Sequence, residues 1–403
     1  MSDSALDAAG SSLPLSPPRT AAAARTHSDA RAASAGKDHV IDAMRGFAAL
    51  LVAYFHCRQV AWVGMQAFHQ SVGHSLGVGA IAAYLTFPIA WGSAGVPIFF
   101  VISGYCIHRG GALRLASNPD YRLDTGNFWV RRFARIYPVL LAALVLTFAL
   151  DWFSLQLPPV SHKIREIGWQ SFVVNLLSLQ GVAGKTYGSN GALWTLSLEV
   201  QFYAIYPLLF ALRRRIGMTS VLAIVAVVNV ISAYVLERHD IQFFTSYWFS
   251  WTLGAWIADA RTRRASDARS SIWLYVLAAA FIVLGCVAFH FGQFGAFQLW
   301  AVGFAFYLYK ALERGSGNQR ETFGTRWLSR FGDFSFSLYL IHLPIFVLLS
   351  SLLFRSSLQM SIWPSFGYML VAVPVAYVFY RLVELPAMKW SASFKPKTVR
   401  KPV

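Results

Sequence analysis

Long apolar stretches recur along this 403-residue sequence and leave few folds open to it. A helix needs about 20 mainly apolar residues to cross a bilayer. Only 13% of the residues are charged, whereas soluble domains carry about 25%. The sequence therefore predicts an all-α, polytopic membrane helix bundle of about ten transmembrane helices. The ten predicted spans are 46–63, 94–108, 136–154, 194–212, 217–236, 243–259, 272–291, 294–312, 334–354 and 363–384.

The positive charge is distributed unevenly among the segments between these spans. The formal net charge is +17, and 29 of the 35 Lys and Arg residues share one side of the membrane if the N-terminus lies inside. Positive residues collect on the cytoplasmic side, so we expect both termini in the cytoplasm of a multi-pass protein of the bacterial cytoplasmic membrane. The same asymmetry explains the charge without a nucleic-acid partner, and no basic reading motif is present.

The remaining segments divide the chain simply. We expect a disordered cytoplasmic tail at 1–38, a membrane domain at 39–388 and a basic cytoplasmic tail at 389–403. The apolar run at 167–180 is short for a span, and we expect it to lie on the surface or re-enter within the outer loop 155–193. The three cysteines have no metal-ligand spacing, so no metal is expected.

Three ionisable residues inside predicted spans mark a candidate site, because such residues are costly in lipid. Helix rise places His56 about 16 Å, His342 about 18 Å and Glu199 about 22 Å above the inner boundary of a roughly 30 Å core. Two imidazoles and a carboxylate at one depth suit acid–base chemistry on a hydroxyl, with a carboxylate such as Glu199 orienting a histidine base. Structural alternatives remain: a hydrogen-bonded core histidine for His56, helix packing for His342, and an arginine partner for Glu199.

Two arginines at the inner face form a second candidate site. Arg132 and Arg135 share one helix face at i, i+3 spacing just before the third predicted span. Guanidinium groups bind phosphate through paired hydrogen bonds, so a phosphorylated donor could dock here from the cytoplasm. Ordinary topology-setting arginines are the alternative.

Six motifs, in this order, resemble the acyltransferase-3 family of integral membrane acyltransferases over roughly residues 40 to 386. They are Asp42-Ala-Met-Arg45-Gly-Phe with His56 eleven positions after Arg45, Gly95-Val-Pro-Ile-Phe-Phe-Val-Ile-Ser103-Gly104-Tyr, Arg132-Phe-Ala-Arg135-Ile-Tyr-Pro138, Leu193-Trp-Thr-Leu-Ser197-Leu-Glu199-Val-Gln-Phe-Tyr203, Phe334-Ser-Phe-Ser-Leu-Tyr339-Leu-Ile-His342-Leu-Pro344, and Val383-Glu384-Leu-Pro386.

The resemblance implies transfer of an acyl group, usually acetyl, from cytoplasmic acyl-CoA to a hydroxyl of a surface polysaccharide, a lipid-linked glycan or a natural product. It makes His56 catalytic and Glu199 a functional acid, and it assigns Arg45, Arg132 and Arg135 to the donor. Ser103, Tyr339 and His342 are motif residues without a firm role. Some members carry a C-terminal hydrolase-like domain, whereas this sequence ends 17 residues after Pro386. We therefore expect the membrane domain to complete the transfer or to pass its product to a partner.

Two other functions remain open at this stage. A glycan or lipid transporter or flippase could use the same polar residues as a translocation path, without chemistry. A non-catalytic membrane component of a polysaccharide-assembly complex would also fit the composition. The expected partners of the enzyme are acyl-CoA, a carbohydrate or glycolipid acceptor, membrane lipid and polysaccharide-assembly proteins.

Overall fold

The computed structural model describes residues 38–72, 77–263, 271–314 and 322–394, and this part of the chain is an all-α bundle without named strands. Backbone polar groups in lipid must be satisfied within the segment, which accounts for the long helices. The predicted tail 1–38 lies outside the described residues apart from Asp38, and the predicted tail 389–403 is described only to Phe394.

Fifteen α-helices of the described residues are numbered in chain order. They are α1 (His39–Ala61), α2 (Met65–Val72), α3 (Val78–Leu85), α4 (Gly95–Ser117), α5 (Thr125–Leu155), α6 (Trp169–Leu176), α7 (Trp194–Ile216), α8 (Met218–Leu236), α9 (Trp248–Arg263), α10 (Trp273–Ala288), α11 (Gln293–Arg314), α12 (Phe323–Asp333), α13 (Ser335–Phe354), α14 (Trp363–Phe379) and α15 (Leu385–Ser393).

Every predicted span coincides with a helix, but several helices extend beyond the predicted limits. Seven helical segments of the described chain are long and apolar enough to cross a membrane, and α10 is a shorter apolar helix. The number of crossings and the side of the termini stay predictions. The run at 167–180 forms only the eight-residue helix α6, which is about 12 Å long and too short to span.

The inner ends of α1 and α5 differ most from the predicted limits. Helix α1 begins at His39 rather than near residue 46, so Arg45 lies inside it. Helix α5 begins at Thr125, where the Asp124 side chain accepts a hydrogen bond from the Asn127 amide at 3.0 Å. An N-cap of this kind satisfies one of the free donors of the first helical turn. Arg132 and Arg135 therefore project from a formed helix.

Helix α1 packs against α4, α12, α13 and α14. Two of the motif glycines explain how closely these helices approach. A side chain on Gly46 would overlap the Leu328 carbonyl oxygen of α12, and one on Gly104 would overlap the Trp251 carbonyl oxygen of α9. Small residues allow such close backbone contact between membrane helices. These crossings fix the neighbours of Arg45 and Ser103.

Candidate active site

His56 and His342 form a hydrogen-bonded pair between α1 and α13. The distance from His56 Nδ1 to His342 Nε2 is 2.8 Å, and the two rings are nearly parallel, with an interplanar angle of 10°. His342 Nδ1 lies 3.0 Å from the Leu338 carbonyl oxygen one turn earlier in α13. The similar depths predicted for the two histidines thus correspond to direct contact.

The Leu338 carbonyl determines which nitrogen of each neutral ring carries a proton. A carbonyl only accepts, so His342 Nδ1 must donate to it, and the unprotonated His342 Nε2 then accepts from His56 Nδ1. In a neutral His56 this leaves the lone pair of Nε2 free. That nitrogen has the form required of a general base.

Only one member of the histidine pair can be reached. His56 is half-buried, whereas His342 is fully buried at 0% exposure. Of the two residues only His56 keeps any exposed surface, and His342 is placed to act through His56.

Three arginines from α1 and α5 form what we call the arginine cluster: Arg45, Arg132 and Arg135. Arg45 Nη1 lies 3.5 Å from Asp42 Oδ1, and its Nη2 donates to Cys106 Sγ at 3.4 Å. The Arg132 guanidinium lies over the Phe128 and Tyr203 rings, 5.7 Å and 5.8 Å from their centroids.

Shared neighbours bring the three guanidinium groups to one region of the bundle. Arg45 and Arg132 both lie within electrostatic range of Tyr203 and Cys106. Arg45 and Arg135 both lie within electrostatic range of the Glu384 carboxylate. The cluster therefore offers several charge-assisted donors to an anionic group.

Glu199 does not orient His56, which corrects the base–orienter pair favoured by the sequence. Its Oε1 atom accepts a short hydrogen bond from the Tyr203 hydroxyl and another from Ser103 Oγ at 3.1 Å. Trp251 Nε1 in turn donates to Ser103 Oγ at 3.2 Å. The direction of a helical side chain depends on how the helix is rotated about its axis, not only on the depth of the residue. The rotation of α7 directs Glu199 toward Ser103 of α4.

Tyr339 connects the region of the histidine pair to that of Glu199. It lies one turn before His342 on α13, and its ring packs edge-on against Phe99 at 5.6 Å. Its hydroxyl forms a 2.7 Å hydrogen bond with Thr195 Oγ1, and it lies within electrostatic range of Glu199. Phe99, Ser103 and Cys106 follow one another down α4, so this order runs from the histidine pair to the arginine cluster.

Glu384 lies beside the site, and the sequence reasoning quoted it in a motif without giving it a part there. It ends a π-helical turn, Tyr380–Glu384, and is buried. Its Oε2 atom accepts from the Ser337 amide at 3.1 Å and from Ser337 Oγ at 2.6 Å. It thereby caps the first turn of α13 beside the Leu338 carbonyl. Its place in the Val383-Glu384-Leu-Pro386 motif was the available signal.

The described part of the chain offers no group of three or more His, Cys, Asp or Glu side chains that could hold a metal ion. Its polar groups instead form two linked sets, the histidine pair and the arginine cluster. This arrangement suits proton transfer at one end and anion binding at the other.

Three curated proteins are similar to parts of this chain. A putative peptidoglycan O-acetyltransferase, YrhL of Bacillus subtilis (strain 168), is 30% identical over 158 residues, 36% of this chain and 24% of the relative. Acyltransferase MdmB of Streptomyces mycarofaciens is 30% identical over 176 residues, 43% of this chain and 39% of the relative. Peptidoglycan O-acetyltransferase OatA of Listeria monocytogenes serovar 1/2a (strain ATCC BAA-679 / EGD-e) is 29% identical over 138 residues, 32% of this chain and 22% of the relative.

These alignments cover less than half of each relative, and no solved structure matches the chain significantly. A family model described as an acyltransferase domain matches residues 38–381. That match includes the histidine pair and the arginine cluster, and it covers most of the chain. The protein therefore belongs to the acyltransferase-3 family, a class of enzymes that transfer acyl groups other than aminoacyl groups.

Proposed function

We propose that the protein is an O-acyltransferase of the bacterial cytoplasmic membrane. It moves an acyl group, with acetyl the family default, from cytoplasmic acyl-CoA to a hydroxyl of a surface glycan, exopolysaccharide or lipid-linked sugar. The observation that carries this proposal is the hydrogen-bonded chain from the Leu338 carbonyl through His342 to His56. It leaves a reachable imidazole nitrogen unprotonated inside a membrane bundle.

The donor is assigned from the charge of the arginine cluster. The phosphates of CoA cannot enter hydrocarbon without compensation, and Arg45, Arg132 and Arg135 supply donors for them at the inner part of the bundle. Arg45 and His56 are 11 residues apart on α1, a rise of about 16 Å. The pantetheine arm spans this distance and brings the thioester to His56.

The transfer then needs one base. His56 Nε2 takes the proton of the acceptor hydroxyl as its oxygen attacks the thioester carbonyl carbon. The tetrahedral intermediate collapses with cleavage of the C–S bond, and the imidazolium returns the proton to the departing thiolate of CoA. His342 Nε2 accepts a hydrogen bond from His56 Nδ1 throughout, which holds the His56 ring in place.

The other motif residues have supporting roles in this proposal. The Glu199 carboxylate is occupied by Ser103 and Tyr203 and lies within electrostatic range of Arg45. It balances the positive charge beside the donor rather than deprotonating the acceptor. Tyr339 and Thr195 separate the donor end from the acceptor end.

The acceptor is proposed from the relatives. Two of them are named peptidoglycan O-acetyltransferases, so a cell-wall glycan is the first acceptor to test. The working partners are therefore acyl-CoA, a carbohydrate or glycolipid, the surrounding lipid and proteins of polysaccharide assembly.

Deletion of the gene should remove an acetyl group from a surface glycan without changing its sugars. Mass spectrometry of glycans from deletion and parent strains measures this as the loss of one C₂H₂O unit per acetyl group. Restoring the wild-type gene should restore the mass, and a His56→Ala gene should not. A transporter would instead change the amount of glycan at the surface and leave its acetylation intact.

Replacing His342 should slow transfer without abolishing it. In His342→Ala, His56 loses the acceptor of its Nδ1 proton, and we expect kcat to fall by about 10²-fold, the low end of general-base effects. The amide oxygen of His342→Gln can still accept that proton, so this variant should recover part of the rate. Initial rates of radiolabelled acetyl transfer measure both. Equal rates in Gln, Ala and wild type would contradict the role of the pair.

A further inference from the structure

The loop between α5 and α7 is attached to the helix that carries His342. Asp151 at the end of α5 accepts from the Ser189 amide at 2.7 Å and from Ser189 Oγ at 2.6 Å. Asn190 Nδ2 donates to the Leu340 carbonyl of α13 at 2.8 Å. The loop is therefore bonded to α13 through Asn190, at a residue two positions before His342.

The first part of the same loop is joined to this attachment point. The Arg165 amide donates to the Gly188 carbonyl at 3.2 Å, and the Gly188 amide donates to the Glu166 carbonyl at 3.1 Å. The segment that contains Lys163 is thus held beside Ser189. The Ile164 amide closes a turn on the Ser161 carbonyl at 3.1 Å, which places Lys163 at the bend.

Lys163 lies in the part of the loop that is joined to α13, and no carboxylate of the described residues pairs with it. Its ammonium group lies within electrostatic range of His56, and the residue is half-buried. It forms no salt bridge with any carboxylate of the described residues. A partly desolvated charge is unfavourable without a partner. In the predicted topology this cation lies at the outer, acceptor side of His56, opposite the arginine cluster.

We propose that Lys163 belongs to the acceptor subsite, and that the natural acceptor carries a carboxylate or phosphate close to the hydroxyl that is acylated. This inference rests on the proposed function and adds the chemical class of the acceptor to it. The anion supplies the missing partner of Lys163, and the ion pair holds the neighbouring hydroxyl over His56 Nε2. A neutral sugar can reach the same place but leaves the ammonium group unpaired.

The test compares three matched probes as inhibitors of transfer to the native acceptor. Membrane vesicles from cells that produce the protein are supplied with radiolabelled acetyl-CoA. Methyl α-D-glucopyranoside, its 6-carboxylate and its 6-phosphate are then added. In wild type, we expect at least one anion to inhibit at about tenfold lower concentration than the neutral glucoside, as one charge-assisted hydrogen bond allows. Comparing inhibition by the carboxylate with inhibition by the phosphate distinguishes an acidic sugar acceptor from one that carries a phosphate.

Variants of two loop lysines complete the test. Lys163→Met keeps the length and apolar stem of the side chain, and it should abolish the preference for anions while leaving the KM for acetyl-CoA unchanged. Lys163→Glu should disfavour anions relative to the neutral glucoside. Lys185→Met removes an exposed lysine of the same loop and should behave as wild type.

Other outcomes separate the two proposals. Equal or absent inhibition by all three probes in wild type, or an unchanged preference in Lys163→Met, would overturn the assignment of Lys163. Vesicles that transfer no label in a His56-dependent manner would instead refute the proposed acyl transfer itself. A preference that appears only after phosphatidylglycerol is added to phosphatidylcholine proteoliposomes would assign Lys163 to a lipid headgroup, which also overturns the acceptor subsite.

Discussion

Replacing His56 with alanine is expected to lower the rate of acyl transfer by about 10³-fold, within the usual range for removal of a general base. His56 is the partly exposed member of the histidine pair. Its Nδ1 atom is used by the hydrogen bond to His342, so the lone pair on Nε2 is free. The rate of radiolabelled acetyl transfer from acetyl-CoA in proteoliposomes measures the effect. Binding of CoA should be retained, because the arginine cluster is unchanged.

Two controls make the His56 result specific. The substitution leaves the buried His342 Nε2 without its donor, which costs about 1–3 kcal/mol, so size-exclusion behaviour and CoA binding must be compared with wild type. His69→Ala changes an exposed histidine of the short helix α2, whose Nδ1 contacts the Tyr84 hydroxyl at 2.6 Å. This variant should keep full activity. Retained turnover in a folded His56→Ala protein would reject the catalytic assignment.

His56 could also carry the acyl group covalently, and a single incubation distinguishes the two routes. Wild type exposed to acetyl-CoA without acceptor should yield no acetylated histidine by mass spectrometry after rapid denaturation. An acetyl-histidine adduct at His56 would replace direct transfer by a two-step reaction. The position of His342 would then serve to orient the nucleophile.

The double variant Arg132→Ala, Arg135→Ala is expected to weaken CoA binding by at least about 10²-fold. Hydrogen bonds to charged groups are worth about 1.5–3 kcal/mol each, and about 1.4 kcal/mol corresponds to a tenfold change in affinity. Calorimetric titration of the detergent-purified protein with CoA measures the loss. A transporter of glycans or lipids has no need of this binding, so the result also distinguishes the two functions.

The neighbouring arginine provides a matched control for this variant. Arg131 lies on the same turn of α5 but is exposed, and Arg131→Ala should bind CoA like wild type. Arg132→Lys keeps the charge but loses the planar fork that lies over Phe128 and Tyr203, so it should bind more weakly than wild type. Unchanged CoA affinity in the double variant would remove the donor assignment.

Hydropathy was sufficient to predict the longer apolar helices, because lipid permits few alternatives for an apolar segment, but it did not predict the five shorter helices α2, α3, α6, α12 and α15. Helix ends were less predictable. Helix α5 extends eleven residues before its predicted start because Asp124 caps a polar first turn, a signal that a hydropathy window dilutes. Helix rise predicted similar depths for His56, His342 and Glu199, and the two histidines are in contact, but depth alone did not predict which of the three would meet.

The pairing of side chains could not be read from the sequence. Whether Glu199 turns toward α1 or α4 depends on how α7 is rotated in the bundle, and this is decided by packing. His342 Nδ1 donates its hydrogen bond to the backbone carbonyl of Leu338. A backbone partner of this kind cannot be recognised from the residue types in the sequence. Similarly, Lys163 appeared only as one of six outer basic residues, because its relation to His56 depends on the attachment of the loop to α13.

Helix α1 carries Arg45 and His56 without an internal proline, unlike α5, α7 and α13, which contain Pro138, Pro207 and Pro344. Prolines are the usual points at which a helix kinks, and Gly46 is held by its contact with Leu328. The helix therefore holds Arg45 and His56 at a fixed separation. An acyl donor with a shortened pantetheine arm cannot place its phosphates at the arginine cluster and its thioester at His56 at the same time.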